Sequence, residues 1–399
     1  MNVSRRIFLA VLTTLCMTVF ASHAAAQGGT WAIEAPLPVP SGLGSFAFGS
    51  INGEVYAVGG QLGSSVVATL EVYNPATNTW TTKTSMPTAR VYPSAAVVNG
   101  LLYVIGGCTT FDCAGLTGTV EAYDPVTDAW TTKAPMPTPR REFGVGVING
   151  VVYAVGGFSG GGASSSNEVY DPSTNSWSTK ASKPTSLGQV KSEGVNGLLY
   201  AMGGYDGCCS LYATVEAYNP STDAWITKAS LPSPRAAGGT GVINATIYYA
   251  GGTSTESQLV AYDPIGDAWT TDATSPTQCQ ATCAGTAANG VLYVSGPTSV
   301  DDFMAFTPTA SPQQLLTSLV GTIASFNIVS GIANSLDAKL LAAQSSLAAA
   351  KKNDLNTACN QIGAFINSVS AQSGNQITAS QASQLVGQAN LIMSALMCP

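Results

Sequence analysis

Residues 123–130 read YDPVTDAW, and the same phrase returns as YNPATNTW from Tyr73, YDPSTNSW from Tyr170, YNPSTDAW from Tyr218 and YDPIGDAW from Tyr262. A phrase repeated along a chain marks one structural unit built several times and stacked on itself. Within it, Asp124-Pro125 predicts a turn, because proline presets φ and the aspartate side chain bonds the turn backbone. Tyr123 therefore ends one strand and Trp130 opens the next.

A second phrase completes the unit: NGEVYAVGG at Asn52, NGLLYVIGG at Asn99, NGVVYAVGG at Asn149, NGLLYAMGG at Asn196, NATIYYAGG at Asn244 and NGVLYVSGP at Asn289. Adjacent copies lie roughly 45–50 residues apart, the interval of a propeller blade. Asn149-Gly150 joins two alternating apolar runs and predicts a tight hairpin, since both residues tolerate positive φ. A variable loop follows the glycine pair, then the strand ending at tyrosine and the strand opened by tryptophan. Met136-Pro137-Thr138-Pro139 ends the fourth strand, because proline cannot continue a ladder.

Four antiparallel strands per unit predict a multi-domain chain whose larger part is an all-β, six-bladed propeller. All six tryptophans, Trp31, Trp80, Trp130, Trp177, Trp225 and Trp269, occupy one position of the unit, and each is expected to be buried. Trp31 precedes any strands of its own blade, whereas the last unit, with Phe303 to Phe306, has no tryptophan after it. Residues 31 to about 36 are thus expected to supply the outer strand of blade six, leaving no free sheet edge. The glycine pair, the spaced Tyr and Trp and the period resemble kelch repeats from residue 28 to about 308. Gly296-Pro297 and Phe306-Thr307-Pro308 depart from the pattern, so blade six is expected to be the least stable.

From Ser311 the period changes to that of helices, in a segment rich in Ala, Ser, Gln and Leu. Ser311-Pro312-Gln313-Gln314 reads as a capping box, as does Thr378 to Gln381. Leu336, Leu340, Ala343 and Leu347 share one helix face; Leu355, Ile362, Phe365 and Val369 share a second; Ala382, Leu385, Ala389 and Ile392 share a third. A small all-α bundle of about four helices follows. Residues 330–389, with Asn334-Ser335-Leu336, Ala364-Phe365-Ile366-Asn367 and Ala371-Gln372-Ser373-Gly374, resemble the FIMAH domain, a helical module at the ends of bacterial exported proteins. That resemblance implies an accessory module and no chemistry.

Arg5-Arg6, the apolar run Ile7 to Phe20 and Ala24-Ala25-Ala26 read as an export signal. Ser4-Arg5-Arg6-Ile7-Phe8-Leu9 also resembles the twin-arginine motif, so either export route remains open. The expected organisation is a signal at 1–26, a propeller at 27–309 and a helical domain at 310–399, in a periplasmic or secreted protein with no membrane span once the signal is removed. The formal net charge of −7 becomes more negative without Arg5 and Arg6, which argues against nucleic acid as a partner.

Removal of the signal also removes Cys16 and the single histidine, His23. Disulfides are then the expected state of Cys108/Cys113, Cys208/Cys209, Cys279/Cys283 and Cys359/Cys398, paired locally. With no histidine and no Cys-x-x-Cys, neither a metal nor a cofactor is expected. Gly157-Phe158-Ser159-Gly160-Gly161 matches G-x-S-x-G but lies in a blade loop with no base, so no catalytic residue is assigned there.

Arg90, Arg140 and Arg235 hold one equivalent place, in the connection that strand alternation sets on the same face as the post-glycine loops. That face collects the candidate ligand residues Arg90, Tyr92, Arg140, Arg141, Glu142, Tyr205, Asp206 and Arg235. The arginines serve either as ligand anchors or as structural caps of blade carbonyls. The function expected is a non-enzymatic binding protein that takes a protein or glycan on this face. Kelch propellers also include galactose oxidase, whose copper needs histidine ligands that are absent once the signal with His23 is removed, and a sialate mutarotase. A mutarotase-type activity would draw an acid/base pair and an arginine from Arg140, Arg141, Glu142, Lys191 and Glu193.

Overall fold

Asn99 and Gly100 both take positive φ, 52° and 76°, the geometry that turns a chain between two twisted strands in two residues. Ser94–Val98 and Leu101–Ile105 pair across this turn, and Val120–Asp124 and Ala129–Lys133 complete a four-stranded antiparallel sheet. The computed structural model, which describes residues 28–38, 43–252, 257–276, 283–295, 303–309, 312–326, 328, 330–348, 352–396 and 398, contains six such sheets.

The sixth sheet runs Ala284–Ala288, Val291–Ser295, Phe303–Pro308 and then Gly29–Ile33. Trp31 sits opposite Phe306 in that pairing, so the strand from the start of the chain closes the ring, two residues earlier than expected. The signal, Cys279 and Gly296-Pro297 lie outside the described residues.

Successive sheets are held together by apolar clusters shared between neighbours, such as Val104, Leu102 and Tyr123 with Val58, Tyr56 and Met86. The recurring phrase has a second task, which explains its strictness. Tyr123 and Trp130 face each other across a strand pair, and Tyr123 donates its hydroxyl to Asp128 Oδ1 at 2.7 Å. The same Oδ1 accepts from the amide of Thr84, at the end of the preceding blade. Trp130 Nε1 donates to the carbonyl of that same Thr84 at 2.8 Å. One residue of each blade is thereby clamped through both backbone groups by the next.

The clamp repeats at Ala35 with Asn78 and Trp80, at Ala134 with Asn175 and Trp177, at Ala181 with Asp223 and Trp225, and at Ala229 with Asp267 and Trp269. Among the described residues blade six has only the tryptophan half, Trp31 Nε1 to Ala273 O at 3.4 Å, because Gly29, two residues before Trp31, takes the place of Asp128 and has no side-chain acceptor; the Ala273 amide bonds Asp272 instead. The tryptophans are half-buried rather than buried as expected. Their indole nitrogens serve as interblade donors, and the tyrosines opposite them fill the core, Tyr123 and Tyr170 being fully buried.

After residue 311 come four helices: α1 (Pro312–Ser325), α2 (Ser330–Ala348), α3 (Lys352–Gln372) and α4 (Ala379–Ala395). Leu336, Leu340, Ala343, Ile362, Phe365, Val369, Leu385 and Ile392 form one core. Leu355 differs from expectation: it lies in the first turn of α3 and is exposed. The Thr378 capping box forms, with Gln381 bonding back to the Thr378 amide; Ser311 of the other expected box lies outside the described residues. Among the described residues no helix is long and apolar enough to cross a membrane.

Candidate functional site

The inner strands of all six blades, Ala47–Ile51, Ser94–Val98, Gly144–Ile148, Lys191–Val195, Gly239–Ile243 and Ala284–Ala288, surround a central channel of about 350 Å³. Side chains alternate along a strand, so Lys191 and Glu193 project from the same side of theirs. The places equivalent to Lys191 hold Ala47, Ser94, Gly144, Gly239 and Ala284; those equivalent to Glu193 hold Gly49, Ala96, Gly146, Gly241 and Thr286. One blade therefore projects the only two charges on a wall of glycine, alanine and hydroxyl residues, among the described residues.

Enclosure by the channel wall sets the ionisation of both groups. Burial raises the Glu193 carboxyl from an ordinary 4.5 to about 7, partly opposed by a hydrogen bond with Thr240 and by Lys191. Burial lowers the Lys191 ammonium to about 8, opposed by Glu193 and Glu142. Lys191 Nζ donates to Cys283 O at 3.2 Å.

Above the wall, the chain makes a backbone ring. Ser45, Tyr92, Glu142, Gln189 and Ala237 occupy one equivalent position, and all have φ between 51° and 60°. For a residue with a side chain that conformation costs about 1 kcal/mol or more. Hydrogen bonds between blades hold it: Tyr92 N to Ser45 O at 2.8 Å, Glu142 N to Tyr92 O at 3.4 Å, Gln189 N to Glu142 O at 2.7 Å, Ala237 N to Gln189 O at 3.0 Å and Cys283 N to Ala237 O at 2.8 Å. The ring leaves a shallow pocket of about 70 Å³ at the mouth, bordered by Tyr92, Glu142, Gln189 and Lys191.

Side chains at three of these ring positions join into one cluster. Arg141 lies with its guanidinium carbon 5.4 Å from the Tyr92 ring centre and 5.0 Å from that of Phe158. It pairs with Glu142, whose other oxygen accepts from Gln189 Nε2 at 2.8 Å. Tyr205 packs edge-on against Phe158, 6.3 Å between centres. Burial raises the Glu142 carboxyl, and Arg141 and Gln189 partly offset this. An arginine held between two aromatic rings and a carboxylate is oriented before any partner arrives.

The other expected anchors are not on this face. Arg90, Arg140 and Arg235 are fully buried. Arg90 bonds the carbonyls of Thr119 at 2.6 Å and Gly106 at 3.2 Å and pairs with Glu121 at 2.9 Å; Arg140 pairs with Glu168 at 2.9 Å. Arg235 donates to the carbonyls of Gly251 and Gln258 and to Ser233. These side chains cap carbonyls inside the blades, because the chain passes inward at that residue and turns outward two residues later at the ring. The connection itself lies where expected, bridged to the post-glycine loops through Val91–Cys108, Arg141–Phe158 and Gly188–Tyr205.

Cys108–Cys113 and Cys359–Cys398 are joined as disulfides. Cys283 is also disulfide-bonded. Cys208 and Cys209, expected as a disulfide, are exposed free thiols with their sulfurs 2.8 Å apart. Neighbouring Cα atoms stand about 3.8 Å apart, short of the usual 4.4–6.8 Å of a bridge. Asp206 lies in the same loop, accepting the amide of Cys208. Gln189, Phe158 and Thr240 escaped the sequence reading. Aligning the repeat units on the residue two after the buried arginine would have found Gln189.

The sequence matches, over residues 45–252, the family described as the KLHDC2/KLHL20/DRC7 Kelch-repeats domain. The chain is similar to Kelch-like protein 21 of Rattus norvegicus, 36% identical over 84 residues, covering 21% of this chain and 14% of that protein. It is similar to Kelch-like protein 33 of Homo sapiens, 35% over 78 residues, covering 20% and 14%. It is also similar to F-box/kelch-repeat protein At5g26960 of Arabidopsis thaliana, 35% over 79 residues, covering 20% and 19%. The chain thus matches less than a fifth of the length of each of these relatives. A solved structure titled "Structure of YjhT" superimposes with a TM-score of 0.56 at 18% identity, covering 69% of this chain and 96% of that one, a likeness of fold.

Proposed function

Since this chain belongs to the kelch-repeat family, we propose that it is an exported, non-enzymatic binding protein that recognises a protein partner at the channel mouth. The observation that carries the reading is Arg141, held between Tyr92 and Phe158 and paired with Glu142. Tyrosine and arginine dominate the energetics of protein interfaces, and fixing them in advance lowers the entropy lost on binding. The helical segment after residue 311 serves in this reading as an association or retention module.

A protein microarray and a glycan array probed side by side with the full chain test the proposal. Selective protein binding that falls at least tenfold in a Tyr92→Ala/Arg141→Ala variant supports it. Selective glycan binding with the same loss changes the partner class, and binding unchanged in the variant overturns the assignment of the site.

A second reading, sugar mutarotation, is favoured by the channel pair. Glu193 and Lys191 each change charge near neutral pH, as a general acid and base must, and Arg141 near the mouth offers a carboxylate contact. Following anomer exchange of N-acetylneuraminic acid by NMR tests it. Exchange accelerated by the chain and abolished by Glu193→Gln would favour it, whereas exchange at the spontaneous rate would exclude it for that sugar.

A further inference from the structure

The loop after the glycine pair of blade four contains a constellation that neither rim nor channel uses. Asp206, Cys208 and Cys209 each present a ligand atom, and all three atoms lie within 4.8 Å of one another. Asp206 Oδ1 accepts the amides of Cys208, Cys209 and Ser210, each at 3.0 Å. Those bonds fix the loop backbone so that both thiols stand beside the carboxylate, and they leave Oδ2 outside this set of contacts.

We propose that Asp206, Cys208 and Cys209 form a surface site for one thiophilic divalent cation of the zinc class, bound by two thiolates and one carboxylate oxygen. Soft sulfur ligands select such cations, and three protein ligands leave a fourth position for water or a partner's donor. Tetrahedral zinc–sulfur bonds of about 2.3 Å set the sulfurs about 3.8 Å apart. The two sulfurs stand side by side in the loop and reach that spacing by a rotamer change open to exposed side chains. Binding exchanges two thiol protons for one cation, M²⁺ + 2 S–H giving M(S)₂ and 2 H⁺, so affinity rises with pH. The competing fate, a bridge between the two sulfurs, is disfavoured by the short Cα separation of adjacent residues.

The site bears on the rim through Tyr205, which precedes Asp206, bridges Gly188 and Leu211 and packs against Phe158. A cation clamping residues 206–209 would fix the loop from which Tyr205 projects.

The test is an anaerobic titration of the full chain with cadmium ion, the chain purified without reductant so that the bridges of Cys108–Cys113, Cys359–Cys398 and Cys283 stay closed, followed by the thiolate-to-cadmium charge-transfer absorbance. Zinc is then measured in competition with a chromophoric chelator. The expected result is one equivalent bound with two protons released, a tenfold or greater loss of affinity in Cys208→Ser and in Cys209→Ser, and a several-fold loss in Asp206→Asn. That last variant keeps the Oδ1 acceptor and so the loop, while replacing the Oδ2 ligand atom with an amide nitrogen and removing the charge. Thermal melting of the apo variants confirms that these exposed changes leave the fold intact. No charge-transfer band, a band retained in the Cys208→Ser/Cys209→Ser double variant, or a Cys208–Cys209 bridge found by mass spectrometry in protein purified without reductant would each overturn the proposal.

Discussion

Lys183 Nζ lies 2.5 Å from Glu216 Oε2, both side chains buried, in blade four, where Leu187 stands in the place that Arg90, Arg140 and Arg235 hold in three other blades. Leu187 O accepts from Gly157 N just as Arg90 O accepts from Gly60 N and Arg140 O from Gly107 N, so Leu187 holds the arginine's place. Lys183 in turn stands where Met86 and Met136 stand, its amide bonding Ser165 O as theirs bond Ala68 O and Gly118 O. The cation has moved four residues back along the chain and still meets the glutamate. Thr185 completes the site at 2.7 Å from Glu216, as Thr88 does for Glu121 and Thr138 for Glu168.

A compensation experiment follows from this exchange. Lys183→Met leaves Glu216 buried without its cation, and removing one partner of a buried pair costs about 3–5 kcal/mol. The double variant Lys183→Met/Leu187→Arg reproduces the arrangement of Met86/Arg90/Glu121 and Met136/Arg140/Glu168 and is expected to recover most of that loss. Chemical denaturation of the three proteins checks it. A double variant no more stable than the single one would show that the two places are not interchangeable.

The hairpin of blade five departs from the repeat. Ala245 stands where the other blades have Gly53, Gly100, Gly150, Gly197 and Gly290, and it is held at φ 61°. A Cβ in the left-handed region is strained by about 1 kcal/mol or more. Ala245→Gly relieves the strain but enlarges the unfolded ensemble, and the native-state term dominates where φ is positive. The expected gain is about 0.5–1 kcal/mol, read as a rise in the denaturation midpoint.

Glu193 makes stability depend on pH. Its carboxyl titrates at about 7 in the folded chain against 4.5 ordinarily, so between those values the folded protein holds a proton that the unfolded chain has released. Stability then falls as pH rises across that window and changes no further above it on this account. The Lys191 contribution lies higher, between about 8 and 10.5, where the unfolded chain holds the extra proton and stability rises with pH. In Glu193→Gln the decline between pH 4.5 and 7 should flatten, as melting temperatures of both proteins across that range would reveal. Parallel curves would place the Glu193 carboxylate in water.

Much of this architecture is legible in the residues because a closed ring repeats its demands. Tyr123, Asp128 and Trp130 recur since each blade must grip its predecessor through one backbone residue, and Asn99-Gly100 recurs since each hairpin needs two positive φ values. The fate of Arg90, Arg140 and Arg235 was not legible. A charged residue in a loop between strands reads equally as an anchor or a cap, and only the path of the chain at the glycine pair turns these three inward. Two of their partners, Glu121 and Glu168, sit two residues before the repeated tyrosine, so these two pairings recur in the repeat as matched charges. Cys208 and Cys209 mislead for another reason, since compartment chemistry predicts a bridge while adjacent Cα spacing opposes it. Lys191 and Glu193, by contrast, stand out wherever the inner strands are aligned.

The small residues around that pair are themselves a test of how closely the blades approach. A Cβ added at Gly194 would lie 2.1 Å from Val147 O and 2.9 Å from Val147 C, both backbone atoms of the neighbouring inner strand. Neither can rotate away, so Gly194→Ala must push two blades apart beside Glu193. Overpacking of this kind costs about 1–3 kcal/mol. Because Lys191 and Glu193 belong to the same strand, the shift is also expected to open the channel and return the Glu193 titration toward 4.5. Gly160→Ala serves as the control: nothing lies within 4 Å of its Cβ, and its stability should be unchanged. Denaturation midpoints of the two variants, with the pH dependence of Gly194→Ala, separate the readings. Destabilisation with an unmoved titration would mean that the blades part without admitting water to the pair, and an undisturbed Gly194→Ala would mean that the inner strands are not packed at this distance.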